Sequence, residues 1–209
     1  MIEYALLAIS TMFVIVDPIA MVPAFLAMTP TDTPAQRIRV AKIASLTSAA
    51  VLLFFAWAGQ LFFKLLGITL PAFQLAGAIV LLLVALDMLR AQSSPVRVTP
   101  AETDAGAEKA DIAVTPLAMP MLAGPGAITS AILLHNQADT LAKQITLLVA
   151  ILLVCASIYV IFRLSAHGAR WLSPIALRLV TRIMGLVLAA LAVQFAANAL
   201  PNLLPKGPP

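Results

Sequence analysis

The sequence contains little charge. Of its 209 residues, 11% are Asp, Glu, Lys or Arg, whereas 62% are hydrophobic, and the mean hydropathy is +1.02. Soluble domains carry about 25% charged residues, so this chain has too little polar surface to cover a soluble globule. The composition therefore argues against a soluble enzyme, a nucleic-acid-binding module and a disordered tail.

Cysteine and histidine are also scarce. The one cysteine, Cys155, lies in an apolar run and cannot form an intrachain disulfide or a multi-cysteine metal site. His135 and His167 have no carboxylate or cysteine at ligand spacing, and the chain has no Walker motif. We therefore expect no metal, no other cofactor, no enzymatic activity and no direct use of ATP.

Long apolar runs dominate the chain. A bilayer core about 30 Å thick needs roughly 20 residues of apolar helix. Runs of about that length lie at residues 4–28, 42–66, 72–89, 112–134, 144–165 and 180–200. The first should be retained as a membrane span, because Glu3 stands where a secretory signal would carry Lys or Arg. We predict six transmembrane helices.

A polar stretch at 91–111, rich in Pro, Ser, Thr and charge, separates residues 1–90 from residues 112–209. Its composition is typical of a linker between two domains of three spans each. Lysine and arginine are retained on the cytoplasmic side of membranes. Alternate loops hold them in a ratio of ten to three, which predicts a cytoplasmic linker and both termini outside an inner membrane.

The two halves correspond in sequence. QLAGAIVLLLVALDML aligns with RIMGLVLAALAVQFA at Gly77 and Gly185, and VDPIAMVPAF aligns with AGPGAITSAI at Pro18 and Pro125. The offsets of the two alignments agree to within a single position. Because each half has three spans, the second half should enter the membrane from the opposite face. We therefore predict an all-α polytopic membrane protein with a 3+3 inverted-topology repeat, an architecture typical of transporters.

Proline interrupts the first and fourth runs but not the interiors of the others. In transporters with inverted repeats, such a matched pair of broken spans indicates the binding site. The alternative is that the prolines merely kink packed helices. The five prolines concerned are Pro18, Pro23, Pro116, Pro120 and Pro125.

The residues at each break predict complementary charges. Asp17 directly precedes Pro18. This order is typical of an N-cap carboxylate followed by proline at the first helical position. Pro125 should likewise begin a half-helix after Gly124, with first-turn amides that attract an anion. Thr129 and Ser130 would add hydroxyl groups. The predicted substrate-binding residues are Asp17, Pro18, Gly124, Pro125, Gly126, Ala127, Thr129, Ser130 and Gln194.

Two roles remain open for Asp17, the one ionisable residue near the middle of a run. It binds a substrate ammonium or a proton, or it only caps the second half-helix. An intramembrane carboxylate pair with Asp87 is a third and weaker hypothesis, since Arg90 stands three residues after Asp87 as a ready partner. Gln194 and Asn198 either line the cavity or bond between helices.

The segments VDPIAMVPAF, PLAMPMLAGPGAITSAI and TRIMGLVLAALAVQF resemble the MarC family of bacterial and archaeal multi-pass membrane proteins over nearly the whole chain. The resemblance implies a six-span inner-membrane protein, related in wider fold to amino-acid exporters and, in some members, described as a small neutral amino-acid transporter. Where the family usually has Gly-Asn after the first proline, this chain has Ala20 and Met21.

These observations favour a secondary transporter for a small zwitterion such as glycine or alanine. The substrate carboxylate would bind at Gly126 and Ala127, and the substrate ammonium or a coupling proton at Asp17. A proton, a sodium ion or the substrate gradient would supply the energy. The alternative function is a membrane scaffold or regulator without transport, which predicts prolines packed against neighbouring helices and no polar cavity between the first and fourth runs.

Overall fold

The computed structural model describes residues 2–30, 32–90, 113–168 and 174–203, and within these ranges the chain is helical, without a β-strand. The predicted linker at 91–111 lies outside the described residues. The helices are α1 (Ile2–Val16), α2 (Met21–Met28), α3 (Pro34–Leu66), α4 (Leu70–Arg90), α5 (Ala113–Leu122), α6 (Pro125–Asn136), α7 (Leu141–Gly168) and α8 (Pro174–Leu203).

Each of the six predicted apolar runs coincides with a helix or a bent pair of helices. The helices α3, α4, α7 and α8 are each long and apolar enough to cross a membrane. The helices α1 and α2 meet at a bend of 42°, and α5 and α6 meet at a bend of 56°. The chain thus has four candidate spans, or up to six if each bent pair is one span.

The helices α3 and α7 both start with a threonine cap. The Thr33 hydroxyl accepts a hydrogen bond from the Gln36 amide at 3.3 Å, and the Gln36 side chain accepts one from the Thr33 amide at 2.9 Å. The Thr140 hydroxyl likewise accepts from the Lys143 amide at 3.3 Å. These caps satisfy amides that have no partner inside the helix. The cap at Thr33 explains why α3 begins several residues before the apolar run at 42–66.

The two halves of the chain pack mainly on each other. Every extensive helix contact joins a helix before residue 91 to one after residue 112, and the largest are those of α4 with α8 and of α3 with α7. Between α2 and α7, the rings of Phe25 and Phe162 are stacked with their centroids 4.4 Å apart, and both side chains are fully buried. Neither half therefore has a hydrophobic core of its own.

At one end of the bundle, Arg37 joins three helices. Its side chain is only 5% exposed. Its Nε and Nη2 donate to the Thr29 carbonyl, after the end of α2, at 3.0 and 2.7 Å, and its Nη1 donates to the Ala166 carbonyl of α7 at 3.5 Å. Carbonyl groups at helix ends thus satisfy a buried guanidinium, and they bring the start of α3 to the ends of α2 and α7.

A second contact joins α1 to α6. The Tyr4 hydroxyl donates to the Leu134 carbonyl at 2.8 Å, and the Lys143 ammonium lies 5.8 Å from the centre of the Tyr4 ring. The start of α1, the end of α6 and the start of α7 therefore lie together.

Candidate functional site

The first break lies between α1 and α2, at Asp17 and Pro18. Asp17 has a left-handed backbone with φ of +44°, which Asp tolerates better than most residues. Its carboxylate accepts a hydrogen bond from the Ala20 amide at 3.2 Å, and its carbonyl accepts one from the Met21 amide at 3.2 Å. The half-helix starts later than predicted, because α2 begins at Met21 with Ala20 as its N-cap residue and without a side-chain cap bond. The bonds of Asp17 instead stabilise the turn before α2. The Asp17 side chain is exposed, whereas Pro18 is buried.

The second break lies between α5 and α6. As predicted, α6 begins at Pro125 with Gly124 as its N-cap residue. Gly124 offers no side chain to the first-turn amides, and its carbonyl accepts from the Ile128 amide at 2.9 Å. A Cβ on Gly124 would press against the carbonyl oxygen of Pro120. Close approach of the backbone, rather than an unusual φ, therefore requires glycine here.

The helix α5 that leads into this break is irregular. Thr115 and Met119 have extended backbones, with φ of −130° at each, and each is joined to the following proline, Pro116 or Pro120, by a cis peptide bond. The prolines predicted to interrupt the fourth run therefore lie where the helix is interrupted.

The two breaks share one hydrogen-bond pattern. In each, the residue before the proline accepts from the amide four residues on: Asp17 from Met21, and Gly124 from Ile128. Both the acceptors and the donors are related by the offset that aligns Pro18 with Pro125. The backbone is thus alike at the two breaks although the side chains differ.

The breaks also lie close together in the bundle. A Cβ built on Gly126, in the first turn of α6, would lie 3.7 Å from Cγ2 of Ile15, which is two residues before Asp17. The same Cβ would lie 3.1 Å from Cζ of Phe195 on α8. Pro125 packs directly against Gly77 of α4. The end of α1 therefore lies beside the start of α6, and apolar side chains occupy the space in front of Gly126.

The other predicted residues of α6 differ in accessibility. Ala127 is buried, and Ser130 is half-buried. Thr129 is 9% exposed, and its hydroxyl accepts a hydrogen bond from the side-chain Nε2 of Gln74 on α4 at 3.1 Å. Thr129 therefore ties α6 to α4.

Gln194 lies on α8 with an exposed side chain, whose Nε2 donates to the side-chain oxygen Oδ1 of Asn198 at 2.8 Å. The structure thus brings Gly126 beside Ile15 of α1 and Phe195 of α8, and it directs Gln194 to a neighbour on its own helix. The next residue, Phe195, is the α8 residue that reaches Gly126, because consecutive helical residues point about 100° apart.

Sequence analysis missed Ile15, Phe195 and Gln74 as neighbours of the breaks. Ile15 and Phe195 carry no signal, since they are apolar residues in apolar runs. Gln74 does carry one: it is an amide side chain in a run otherwise nearly free of polar groups, and such residues in membrane helices usually bond to another helix.

The two breaks offer different chemical features. The start of α6 offers amides and the positive end of a helix dipole, which favour an anion. Asp17 offers a carboxylate that suits a cation. A zwitterion with a short side chain would match both, provided that Phe195 and Ile15 leave the space in front of Gly126.

Comparison with known proteins identifies relatives along almost the whole chain. A family model described as MarC family integral membrane protein matches residues 2–204. The chain is 36% identical to a UPF0056 membrane protein of Methanocaldococcus jannaschii over 95% of this chain and 96% of the relative. It is 36% identical to one of Aquifex aeolicus, covering 94% and 92% of the two chains. It is 30% identical to YhcE of Escherichia coli, covering 93% and 90%. No solved structure matches the chain.

Proposed function

The chain belongs to the MarC family of integral membrane proteins, and we propose that it is a secondary transporter that moves a small neutral amino acid across the inner membrane. On this proposal it is not an enzyme and uses no cofactor. A proton, a sodium ion or the substrate gradient drives the movement. The observation that carries the proposal is that a Cβ built on Gly126 would lie 3.7 Å from Ile15, two residues before Asp17, which supports a site between the carboxylate of the first break and the helix start of the second.

Helix directions support a complete crossing by α5 and α6. The bond from Arg37 to Ala166 joins the start of α3 to the end of α7, so these two helices run antiparallel. If α5 and α6 formed a re-entrant loop, the chain would return to the side it came from, and α7 would run parallel to α3. The antiparallel arrangement therefore favours one span made of α5 and α6.

The ends of the first bent pair support the same conclusion for α1 and α2. Tyr4, at the start of α1, bonds to Leu134 at one end of the bundle. Thr29, after the end of α2, bonds to Arg37 at the other end. A pair of helices that starts at one end and finishes at the other supports one bent span, and with it the proposed count of six.

Equivalent interactions support the inverted repeat. The capping residues Thr33 and Thr140 are related by the same offset as Asp17 and Gly124. Arg37 donates to the Pro30 carbonyl at 3.3 Å, and Gln144, its equivalent by that offset, donates to the Ala138 carbonyl at 3.4 Å. In six spans, each pair lies on opposite sides of the bundle, as an inverted repeat requires.

The distribution of basic residues supports the proposed orientation. Arg37 and the nearby Arg39 and Lys42 lie at the end of the bundle where α7 finishes, whereas Lys143 lies beside Tyr4 at the other end. By the positive-inside rule the Arg37 end is cytoplasmic. Both termini are then outside, and the 91–111 linker is cytoplasmic.

In the proposed site, the substrate carboxylate binds the first-turn amides of α6, and its ammonium or a coupling proton binds Asp17. Phe195 and Ile15 close the space in front of Gly126 in this structure. Alternating access requires the site to close at some stage, so these side chains move aside when substrate enters. The absence of a large side chain at Gly124, Gly126 and Ala127 favours glycine or alanine over larger amino acids.

Uptake into proteoliposomes tests the proposal. Purified protein is reconstituted, and radiolabelled glycine, alanine, serine and leucine are offered with and without a pH or sodium gradient. We expect uptake of the smallest amino acids above that of protein-free liposomes. Absence of uptake or exchange of every zwitterion, with correctly inserted protein, would contradict transport.

The packing around the prolines favours a second candidate, a membrane scaffold or regulator without transport. Pro18, Pro120 and Pro125 are buried, Pro125 packs against Gly77, and apolar side chains cover Gly126. A scaffold predicts that no amino acid raises the melting temperature of the purified protein. A transporter predicts that its substrate does, because binding to the folded state stabilises it by mass action.

A further inference from the structure

A groove of about 380 Å³ runs between α3 and α7. Its floor consists of the small side chains of Ser45, Ala49 and Cys155, each of them buried. Leu46 and Leu152 form its rims and are 59% and 50% exposed. The groove is therefore open along its length to the surroundings of the bundle, which in a membrane are lipid chains.

One end of the groove is basic. Lys42 of α3 and Tyr159 of α7 both line it. Arg39 lies one turn before Lys42, and Arg163 lies one turn after Tyr159. Because residues three or four apart share a face of a helix, both arginines lie on the helix faces that line the groove. The bond between Arg37 and Ala166 shows that these parts of α3 and α7 lie at the same end of the bundle.

The opposite end of the groove is apolar. One turn beyond Ala49 on α3 lies Leu53, and one turn before Leu152 on α7 lies Leu148. The groove thus has a cationic end near the ends of two helices and an apolar remainder directed toward the membrane interior. A phospholipid with an anionic headgroup has the complementary distribution of charge.

We propose that this groove binds an anionic phospholipid, with one acyl chain along Ser45 and Ala49 and the phosphate beside Lys42. A lysine stem packs along apolar surface while its ammonium reaches the interface. A tyrosine such as Tyr159 suits the same level, because its ring is apolar and its hydroxyl is polar. Each basic residue near an anionic membrane surface contributes about 1 kcal/mol to lipid attraction.

A second copy of the chain suits the groove less well. In a two-fold dimer within one membrane, the symmetry axis runs along the membrane normal, so both copies present Lys42 at the same depth. The cations of the two grooves would then approach each other. Repulsion between like charges disfavours that contact, whereas an anionic headgroup neutralises the charge of Lys42.

Native mass spectrometry of the delipidated full chain tests the proposal. Phosphatidylglycerol and phosphatidylcholine with identical acyl chains are added separately, and the dissociation constant of the first bound lipid is measured. We expect tighter binding of phosphatidylglycerol. Lys42→Gln should weaken that binding about fivefold, the effect of one interfacial charge. Lys64→Gln, which removes an exposed lysine at the other end of α3, is the matched control and should leave it unchanged.

Ala156→Leu tests the acyl-chain part of the groove. Ala156 lines the groove and is exposed, so a larger side chain fills the groove without entering the core. It should weaken binding of both lipids, whereas Ala190→Leu, on an exposed part of α8, should not. If Ala156→Leu does not yield folded protein, the comparison of Lys42→Gln with Lys64→Gln decides alone.

Two results would overturn the proposal. One is equal loss of phosphatidylglycerol affinity in Lys42→Gln and Lys64→Gln, or no loss in either. The other is unchanged lipid binding in Ala156→Leu together with conversion of a dimer to a monomer, which would assign the groove to a second copy. Neither readout depends on transport, so the test is independent of the proposed function.

Discussion

The breaks at Asp17–Pro18 and Gly124–Pro125 have the same backbone pattern and opposite chemistry. In both, a proline follows a residue whose carbonyl accepts from the amide four residues on. The first break carries a carboxylate in an exposed position. The second carries no side chain, is buried, and abuts the Pro120 carbonyl. The two breaks thus share how the backbone is bonded and differ in the chemical groups that each presents.

This difference implies a division of roles. A carboxylate can accept a cation or a proton, whereas helix-start amides favour an anion. A binding site built from two identical breaks would be limited to one sign of charge. The proposed function uses one of each to bind a molecule that carries both charges.

Asparagine placed at each break should produce the largest contrast in stability. Asp17→Asn should leave the melting temperature within about 2 °C of the parent, because Asn caps helices and tolerates a left-handed backbone as well as Asp. Gly124→Asn should lower the free energy of unfolding by about 1–3 kcal/mol or more, since its Cβ meets the Pro120 carbonyl. Thermal unfolding in detergent and the monodisperse yield measure both. Equal losses would mean that the breaks are packed alike.

The next largest effect concerns transport by Asp17→Asn. The substitution removes the charge and keeps the hydrogen bond to the Ala20 amide. If Asp17 binds the ammonium or a proton, uptake should fall at least tenfold. The reason is that a cation left unpaired in a site of low dielectric constant loses more than about 1.4 kcal/mol of binding free energy. Uptake into proteoliposomes with matched protein content is the measurement. Normal uptake in a stably folded variant would show that Asp17 is only a cap.

Gly126→Val tests the uncharged break. The branched side chain would contact Phe195 and Ile15, so it should be paired with Phe195→Ala, which makes room for it. We expect the double variant to fold and to lose the rise in melting temperature caused by glycine or alanine, because the amides are obstructed. Phe195→Ala alone is the control and should retain that rise. Retention in the double variant would mean that the substrate binds elsewhere.

The smallest effect concerns the side-chain hydrogen bond between Gln74 and Thr129. The first break cannot form an equivalent bond, because Val22 stands at the position that corresponds to Thr129. A double-mutant cycle with Gln74→Leu and Thr129→Val should give a coupling energy of about 0.6 kcal/mol, the average for side-chain hydrogen bonds between membrane helices. Thermal or denaturant unfolding of the four proteins gives the value. A coupling near zero would mean that the bond does not hold α6 against α4.

The positions of the helices and of both breaks could be predicted from sequence, because they depend on local properties. A bilayer requires long apolar runs, and proline is favoured at the first position of a helix. The predicted start of α6 at Pro125 therefore corresponds to the structure, whereas α2 begins at Met21 and not at Pro18. The prediction of an all-helical membrane protein is confirmed, and so is the MarC family.

The neighbours of the breaks could not be predicted, because they depend on how each helix is rotated about its axis. In a soluble protein, an amphipathic pattern reveals the inner face of a helix. The helix α8 is apolar on nearly all sides, so its sequence does not distinguish Gln194, which is exposed, from Phe195, which contacts the second break. Contacts between membrane helices follow close packing and shape, and these are properties of two sequences together.

The packing of each half on the other has a consequence for biogenesis. The main partner of α4 is α8, which follows every other described helix in the chain. At about 5–20 residues per second, the ribosome needs roughly 6–23 seconds to extend the chain from Arg90 to Leu203. During that interval α4 stays in the bilayer without its partner, exposed to membrane quality control. Translation speed through the second half, rather than through the first, thus governs how long the immature protein is vulnerable to degradation.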